Sequence, residues 1–269
     1  MRVALTIAGS DPSGGAGVQA DLKTFAAHDV FGLSVITAVT VQNTLGVAAV
    51  ETLGADVVTA QIEAVVADIG TQAVKTGMLA TAAIVEAVAA AVAALELPLL
   101  VVDPVLVSTS GTRLLDDEGL EAMKAELLPR AHVVTPNIPE AEMLSGVTIG
   151  SDADRREAAR RIRALGPANV VITGGHAANA DRIVDLLYNG DVFAEFPTPR
   201  VPGPHTHGTG CTFSAAVTAH LALGRRLHDA IPAAQHYVAG AVRHAPGLGR
   251  GAGPMHHFWR AGTDRAGRL

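Results

Sequence analysis

The chain has 269 residues, of which 49% are hydrophobic, 17% charged and only 3% aromatic, with a formal net charge of −6. That length suffices for one large domain with a sizeable core. The negative balance excludes the broad basic footprint of a nucleic-acid binder, and the single cysteine, Cys211, excludes an intramolecular disulfide.

Residues 2–8 (RVALTIA) form a short apolar strand running into the Gly-rich stretch GSDPSGGAG, with a helix predicted from there to about residue 29. The opening apolar run is too short for a secretion signal with its cleavage site. No segment approaches the roughly 18 unbroken apolar residues of a membrane span, since the Ala-rich 82–95 carries Glu86. The expectation is therefore a cytoplasmic protein with no membrane and no nucleic-acid partner. Residues 33–41 are β-branched and read as a buried strand. Helix 56–68, strand 72–76, helix 81–95, strand 99–102, helix 117–128 and a strand at 131–135 follow. Residues 152–164 (DADRREAARRIRA) make a charged surface helix whose acids precede its arginines. After strand 169–173, the runs 181–188 and 191–197 flank Asn189-Gly190, a hairpin signal. Two Ala-rich helices, 209–223 and 229–244, end the pattern.

Repeated βα units predict an α/β fold, a mostly parallel sheet with helices on both faces, and the late hairpin predicts an antiparallel edge. No composition break divides residues 1–260, which read as a single domain, and the polar, Gly-rich 261–269 reads as a flexible tail.

The chemistry is most concentrated at His207-Gly208-Thr209-Gly210-Cys211-Thr212, directly before the helical run FSAAVTAHLAL. Glycines let successive N–H groups converge, and a helix N-terminus adds about half a positive charge. Fixed donors of this kind stabilise a transferring phosphoryl group. An ordinary Gly-rich helix cap is the plainer alternative. In the first helical turn, the Cys211 thiol is expected to have a lowered pKa and to help activate a hydroxyl; as a small apolar wall residue it would do neither.

This loop stands with TIAGSDPSGGAGVQADLKTF at the start, VQNTLGV at 41–47, KTGML at 75–79, VVDPV at 101–105 and TPNIPEAE at 135–142. GGH at 174–176, HGTGCTFSAA at 207–216 and GPMHHF at 253–258 complete the series. In this order, the motifs resemble the hydroxymethylpyrimidine/phosphomethylpyrimidine kinases of the ribokinase-like superfamily. The resemblance implies a three-layer αβα fold and a homodimer. It further implies ATP- and Mg²⁺-dependent phosphorylation of 4-amino-5-hydroxymethyl-2-methylpyrimidine and then of its monophosphate, toward thiamine diphosphate.

Residue by residue, the resemblance makes Gln42 the reader of the pyrimidine's polar edge, since its amide both donates and accepts. Asp21, Gly9 and Met78 fall on substrate-pocket positions. Taken alone, Gln42 is a polar loop residue, Asp21 a helix surface charge and Met78 plain core. Asn137 and Glu140 match the Asn-x-x-Glu element that positions magnesium and phosphate, and also read as a helix capping box. Asp103 is a metal-side carboxylate or a turn residue. Gly208, Gly210 and Cys211 match the catalytic anion hole. Ribokinase relatives carry an aspartate at the Cys211 position, so the cysteine points to the pyrimidine-kinase branch. His207 closes the pocket or is structural, Lys75 lies near the pocket or in an ion pair, and His256-His257 are packing residues.

Two positions depart from the family pattern. Lysines common within 108–111 and just before Gly-Gly-His are here Thr109 and Thr173, the latter at a nucleotide-binding position. Weakened ATP binding is expected, with Arg113 as a nearby compensating charge. Two other functions fit the same motifs: a pyridoxal or pyridoxine kinase, and a non-catalytic pyrimidine-binding sensor.

Overall fold

In β1 (Arg2–Ser10), buried side chains alternate between two apolar layers: Leu5 and Ile7 pack into one and Ala4 into the other. The same two-residue period recurs in β4 (Ala73–Thr76), β5 (Leu100–Val102), β6 (Val133–Val134) and β7 (Val170–Ile172), all apolar on both faces apart from Lys75 and Thr76. Strands of this kind need helices on either side. A computed structural model describes residues 1–108, 111–175 and 181–262. Thr109, His176 and the predicted tail from residue 263 onward lie outside the described residues.

β2 (Val30–Asn43) pairs in parallel with β1 and antiparallel with β3 (Gly46–Thr52); β8 (Arg182–Tyr188) and β9 (Phe193–Pro199) form the hairpin predicted at Asn189-Gly190. Among the described residues there is one sheet, ordered β3-β2-β1-β4-β5-β6-β7-β8-β9, parallel from β2 to β7 and antiparallel at both edges. One face is covered by α2 (Ala55–Asp68), α3 (Ala82–Ala94), α4 (Asp117–Ala122), α5 (Ile138–Ser145) and α6 (Asp152–Ala164). The other carries α1 (Gly17–Ala27), α7 (Thr209–Ala222) and α8 (Leu227–Arg243). This is the three-layer α/β architecture the motifs implied. Among the described residues no helix is long and apolar enough to cross a membrane.

Three elements differ from the sequence reading. The β2–β3 hairpin has no sequence signal because five of the seven β3 residues face solvent, so no buried–exposed alternation exists to detect. The helix predicted over 117–128 leaves α geometry at Met123, passing through a π turn and a 3₁₀ turn to Arg130. The helix α5, for which only a cap was read, is closed by Gly146 in the left-handed conformation.

The chain moves from β1 to β2 on one side and then to β4 on the other. Strand order therefore reverses beside β1, opening a crevice at the carboxyl ends of the strands.

Candidate active site

That crevice is a cavity of about 630 Å³. Gly9, Gln42, Met78, Asp103, Asn137, Glu140, Thr173, Gly208, Gly210 and Cys211 all line it. Of the predicted site residues, only Asp21 is off its wall.

Gln42 sits near the end of β2, with its amide 3.2 Å from Thr40 Oγ1 on one side and 3.2 Å from His207 Nε2 on the other. Thr40 Oγ1 donates to the Ser10 carbonyl at 3.0 Å, and His207 Nε2 lies 2.9 Å from Asp11 Oδ2. Asp11 also accepts from Ser13 N, Ser13 Oγ and Ala16 N at 2.8–2.9 Å. Burial alone would raise the Asp11 pKa, but these hydrogen bonds, led by His207, hold it down to about 2. Gly9 and Met78 are side by side: a methyl group on Gly9 would meet Met78 Sδ at 3.4 Å.

Gly208 caps α7 with φ +80°, and a Cβ there would overlap the Gly15 carbonyl oxygen, so only glycine lets the two Gly-rich loops touch. The first intrahelical bond runs from Thr212 N to Gly208 O at 2.9 Å. The N–H groups of Gly210 and Cys211 thus precede the helix ladder and are available to an anion.

The lowered thiol pKa expected for Cys211 is corrected by the structure. Burial pushes the thiol up to about 12, and the Asp103 carboxylate adds to that, while Lys75 opposes it. Loss of solvation and a facing negative charge outweigh the helix terminus. At neutral pH in the unliganded protein this group is a thiol.

Asp21 is the second correction. It projects from α1 into the interior, where Lys75 Nζ lies 3.1 Å from its Oδ2 and Thr6 Oγ1 donates to the same oxygen at 2.6 Å. Both side chains of the pair have 0% exposure, so Asp21 stands behind the wall. Lys75 also lies 3.5 Å from Asp103 Oδ2, to which Ser214 Oγ donates at 2.9 Å. Burial disfavours the ammonium, but the two carboxylates overcome this and hold the Lys75 pKa above its ordinary value. Asp21 therefore reaches the cavity only through Lys75 and Asp103.

Asn137 and Glu140 form the capping box of α5 and also line the cavity, so the cap does not withdraw them from it. Burial, with Asp103 adding, pushes the Glu140 carboxyl up to about 8. Thr173 is tied to the same loop by its N–H to the Pro136 carbonyl at 2.9 Å.

Asp103 and Glu140 are two carboxylates whose mutual repulsion a hard cation would relieve, so the site fits Mg²⁺. Among the described residues no group of three or more His, Cys, Asp or Glu side chains could hold a metal by itself.

Sequence reasoning missed Asp185 and Arg200, both on the cavity wall. Asp185 accepts from Gly174 N and Gln235 Nε2, each at 2.8 Å, and so anchors the Gly-Gly turn. Its only sequence signal is an acid inside the apolar run RIVDLLY. Arg200 donates to the Gly175 carbonyl at 3.1 Å. Arg113 is engaged elsewhere, with Leu115 O at 2.7 Å and in an ion pair with Asp117. His257 is buried and contacts Thr212 Oγ1 at 3.1 Å on the α7 side, outside the cavity.

Residues 11–256 match the family model described as phosphomethylpyrimidine kinase. The hydroxymethylpyrimidine/phosphomethylpyrimidine kinase of Bacillus subtilis is 48% identical over 255 residues, covering 95% of this chain and 94% of that protein. Among solved structures, an ADP complex of Bacillus subtilis pyridoxal kinase superposes with a TM-score of 0.89 at 40% identity, covering 97% of this chain and 99% of the other. A phosphomethylpyrimidine kinase from Clostridium difficile 630 gives 0.80 at 42% identity, covering 90% and 100%. With Gln42, the Asn137–Glu140 pair and the loop 208–211 gathered on one cavity, and with likeness along nearly the whole length, the chain belongs to the phosphomethylpyrimidine kinase family.

Proposed function

We propose that the protein transfers the γ-phosphoryl group of ATP to the hydroxymethyl oxygen of 4-amino-5-hydroxymethyl-2-methylpyrimidine, and then phosphorylates the monophosphate, in thiamine diphosphate biosynthesis. The observation that carries this reading is the sharing of one cavity by Gln42 and the first-turn amides of α7. An amide that donates and accepts suits an aminopyrimidine edge. Gly9 and Met78 bound the ring, while the N–H groups of Gly210 and Cys211 face the charge that develops on the transferring group. Such transfer is loose and needs positioning and electrostatics more than proton abstraction, which a neutral Cys211 thiol permits. Thr173, Asn137 and the Asp185-anchored turn hold the nucleotide, with Arg200 supplying the cation that Thr173 does not. Asp103, with Glu140 through water, would hold Mg²⁺, which when bound supplies charge neutralisation of the phosphates.

The protein works in the cytoplasm as one domain spanning residues 1–260 and as a homodimer. Val39, Val41, Leu45 and Val50 leave apolar surface exposed on the β2–β3 hairpin, which supports self-association; sedimentation would read a monomer if this is wrong.

ADP release measured with hydroxymethylpyrimidine, its monophosphate and pyridoxal tests the assignment. Turnover of both pyrimidines above pyridoxal supports it. Preference for pyridoxal would move the protein to the activity named for its structural neighbour. Binding of the pyrimidine without ADP release would make it a sensor.

A further inference from the structure

The terminal amide of Gln42 has nearly the same shape whichever way it is turned, so its hydrogen bonds must decide its sense. His207 Nε2 faces both Asp11 Oδ2 at 2.9 Å and the Gln42 amide at 3.2 Å. Asp11 is an ionised carboxylate held by three further donors, so a lone pair on Nε2 would be repelled and that nitrogen must carry a proton. The Gln42 atom facing it must then be the oxygen. Thr40 gives the same answer. Its single proton serves the shorter of its two contacts, to the Ser10 carbonyl at 3.0 Å, and so leaves lone pairs toward Gln42 at 3.2 Å. The Gln42 atom there must be the NH₂. With the amide nitrogen toward His207, two donors would meet at one end and two acceptors at the other; turned over, the oxygen shares the Nε2 proton with Asp11 and the NH₂ donates to Thr40.

We infer that Asp11 and His207 are positioning residues that fix the sense of the Gln42 amide, and thereby which way round the aminopyrimidine lies. The inference rests on the aminopyrimidine reading of the cavity. After its two internal contacts, the amide keeps one lone pair and one N–H. These match an amidine-like edge, with an exocyclic amino donor on the oxygen and a ring-nitrogen acceptor on the N–H. In 4-amino-5-hydroxymethylpyrimidine, the hydroxymethyl carbon lies beyond the amino group, on the side away from that ring nitrogen. An oxygen turned toward His207 therefore puts the hydroxymethyl on the His207 side, and His207 leads directly into the loop 208–211 that faces the phosphoryl group. The reversed amide would present the hydroxymethyl away from it.

Nitrogen-15 histidine NMR on the unliganded full chain reads the relay without substrate. The His207 signal, identified by its loss in His207→Gln, is expected to show a protonated Nε2 at neutral pH; an unprotonated Nε2 overturns the inference. Kinetics read its consequence. His207→Leu should lower kcat/KM for hydroxymethylpyrimidine by at least about tenfold, one lost positioning hydrogen bond, while ATP KM stays within about threefold. His207→Gln, which keeps an N–H near the same place, should recover most of that loss. Equal losses in the two folded variants would make His207 a packing residue and end the inference. Should His207→Leu fail to fold, Thr40→Val acts at the amide's other end, where the same loss is expected and its absence overturns the idea. Failure of the wild type to bind the pyrimidine at all would sink the functional reading instead, and the NMR result would stand apart from it.

Discussion

Glu140 Oε2 accepts the backbone N–H of Asn137 at 2.9 Å, and Asn137 Oδ1 accepts that of Glu140 at 3.0 Å. One pair of side chains thus both starts a helix and presents a carboxylate to the cavity. Glu140→Gln keeps an acceptor for the cap but removes a carboxyl that, pushed up to about 8 by burial and Asp103, would ionise once a divalent cation sits beside it. The expected outcome is a melting temperature unchanged or raised, with kcat lowered at least about tenfold through loss of charge at the phosphates. A large fall in melting temperature with intact kcat would leave Glu140 as a cap alone.

Asp21 separates stability from binding. Asp21→Asn leaves Lys75 buried with a single full partner, and breaking a buried ion pair from one side costs roughly 3–5 kcal/mol. Urea denaturation should show a loss of that order, while KM for the pyrimidine stays within about threefold because Asp21 does not touch the cavity. A KM change with no loss of stability would return Asp21 to the substrate.

Cys211 is the chain's single cysteine, so alkylation by iodoacetamide reports its thiolate directly. Without nucleotide or divalent cation, the rate should be low at pH 7 and still rising at about pH 10, as a thiol pushed up to about 12 requires. A plateau below about pH 8 would restore the activated thiolate that the helix terminus alone suggests.

Nucleotide affinity should respond oppositely at two positions. Thr173→Lys adds a charge-assisted contact beside the Gly-Gly turn and should lower ATP KM, by no more than about tenfold for a partly solvated group. Arg200→Ala should raise it several-fold, and Arg113→Ala, whose guanidinium is engaged by Asp117, should not change it. Steady-state kinetics at fixed Mg²⁺ decide, and a response at Arg113 with none at Arg200 reverses the assignment.

His220 lies in a buried aromatic cluster, its ring 4.8 Å from that of His28 and both ring nitrogens without a partner. Burial, with His28 adding, pushes its pKa down to about 4. Between the ordinary value near 6.5 and about 4 the unfolded chain binds the proton that the folded chain refuses. The stability it contributes as a neutral ring is therefore present above pH 6.5 and lost as pH falls toward 4. His220→Leu should reduce the difference in unfolding free energy between pH 7 and pH 4.5 by roughly 2 kcal/mol. An unchanged difference would place the acid sensitivity elsewhere.

Much of this protein is local in origin. The apolar run of β1, the Asn189-Gly190 turn, the Asn137–Glu140 cap and the glycines before α7 each arise from neighbouring residues, and all were legible in the chain. So was the family, through motifs at the strand ends. The tertiary structure decided what depends on residues far apart in sequence. Asp21 is an interior anchor because Lys75 meets it from β4. Cys211 is held as a thiol by burial in the assembled site, with Asp103, over a hundred residues earlier, adding to the effect. Arg200 reaches the cavity wall while Arg113 turns to Asp117. Backbone preference is set within a few residues, whereas a side chain's direction and its charge state are set by the field and solvent left around it once the sheet has assembled.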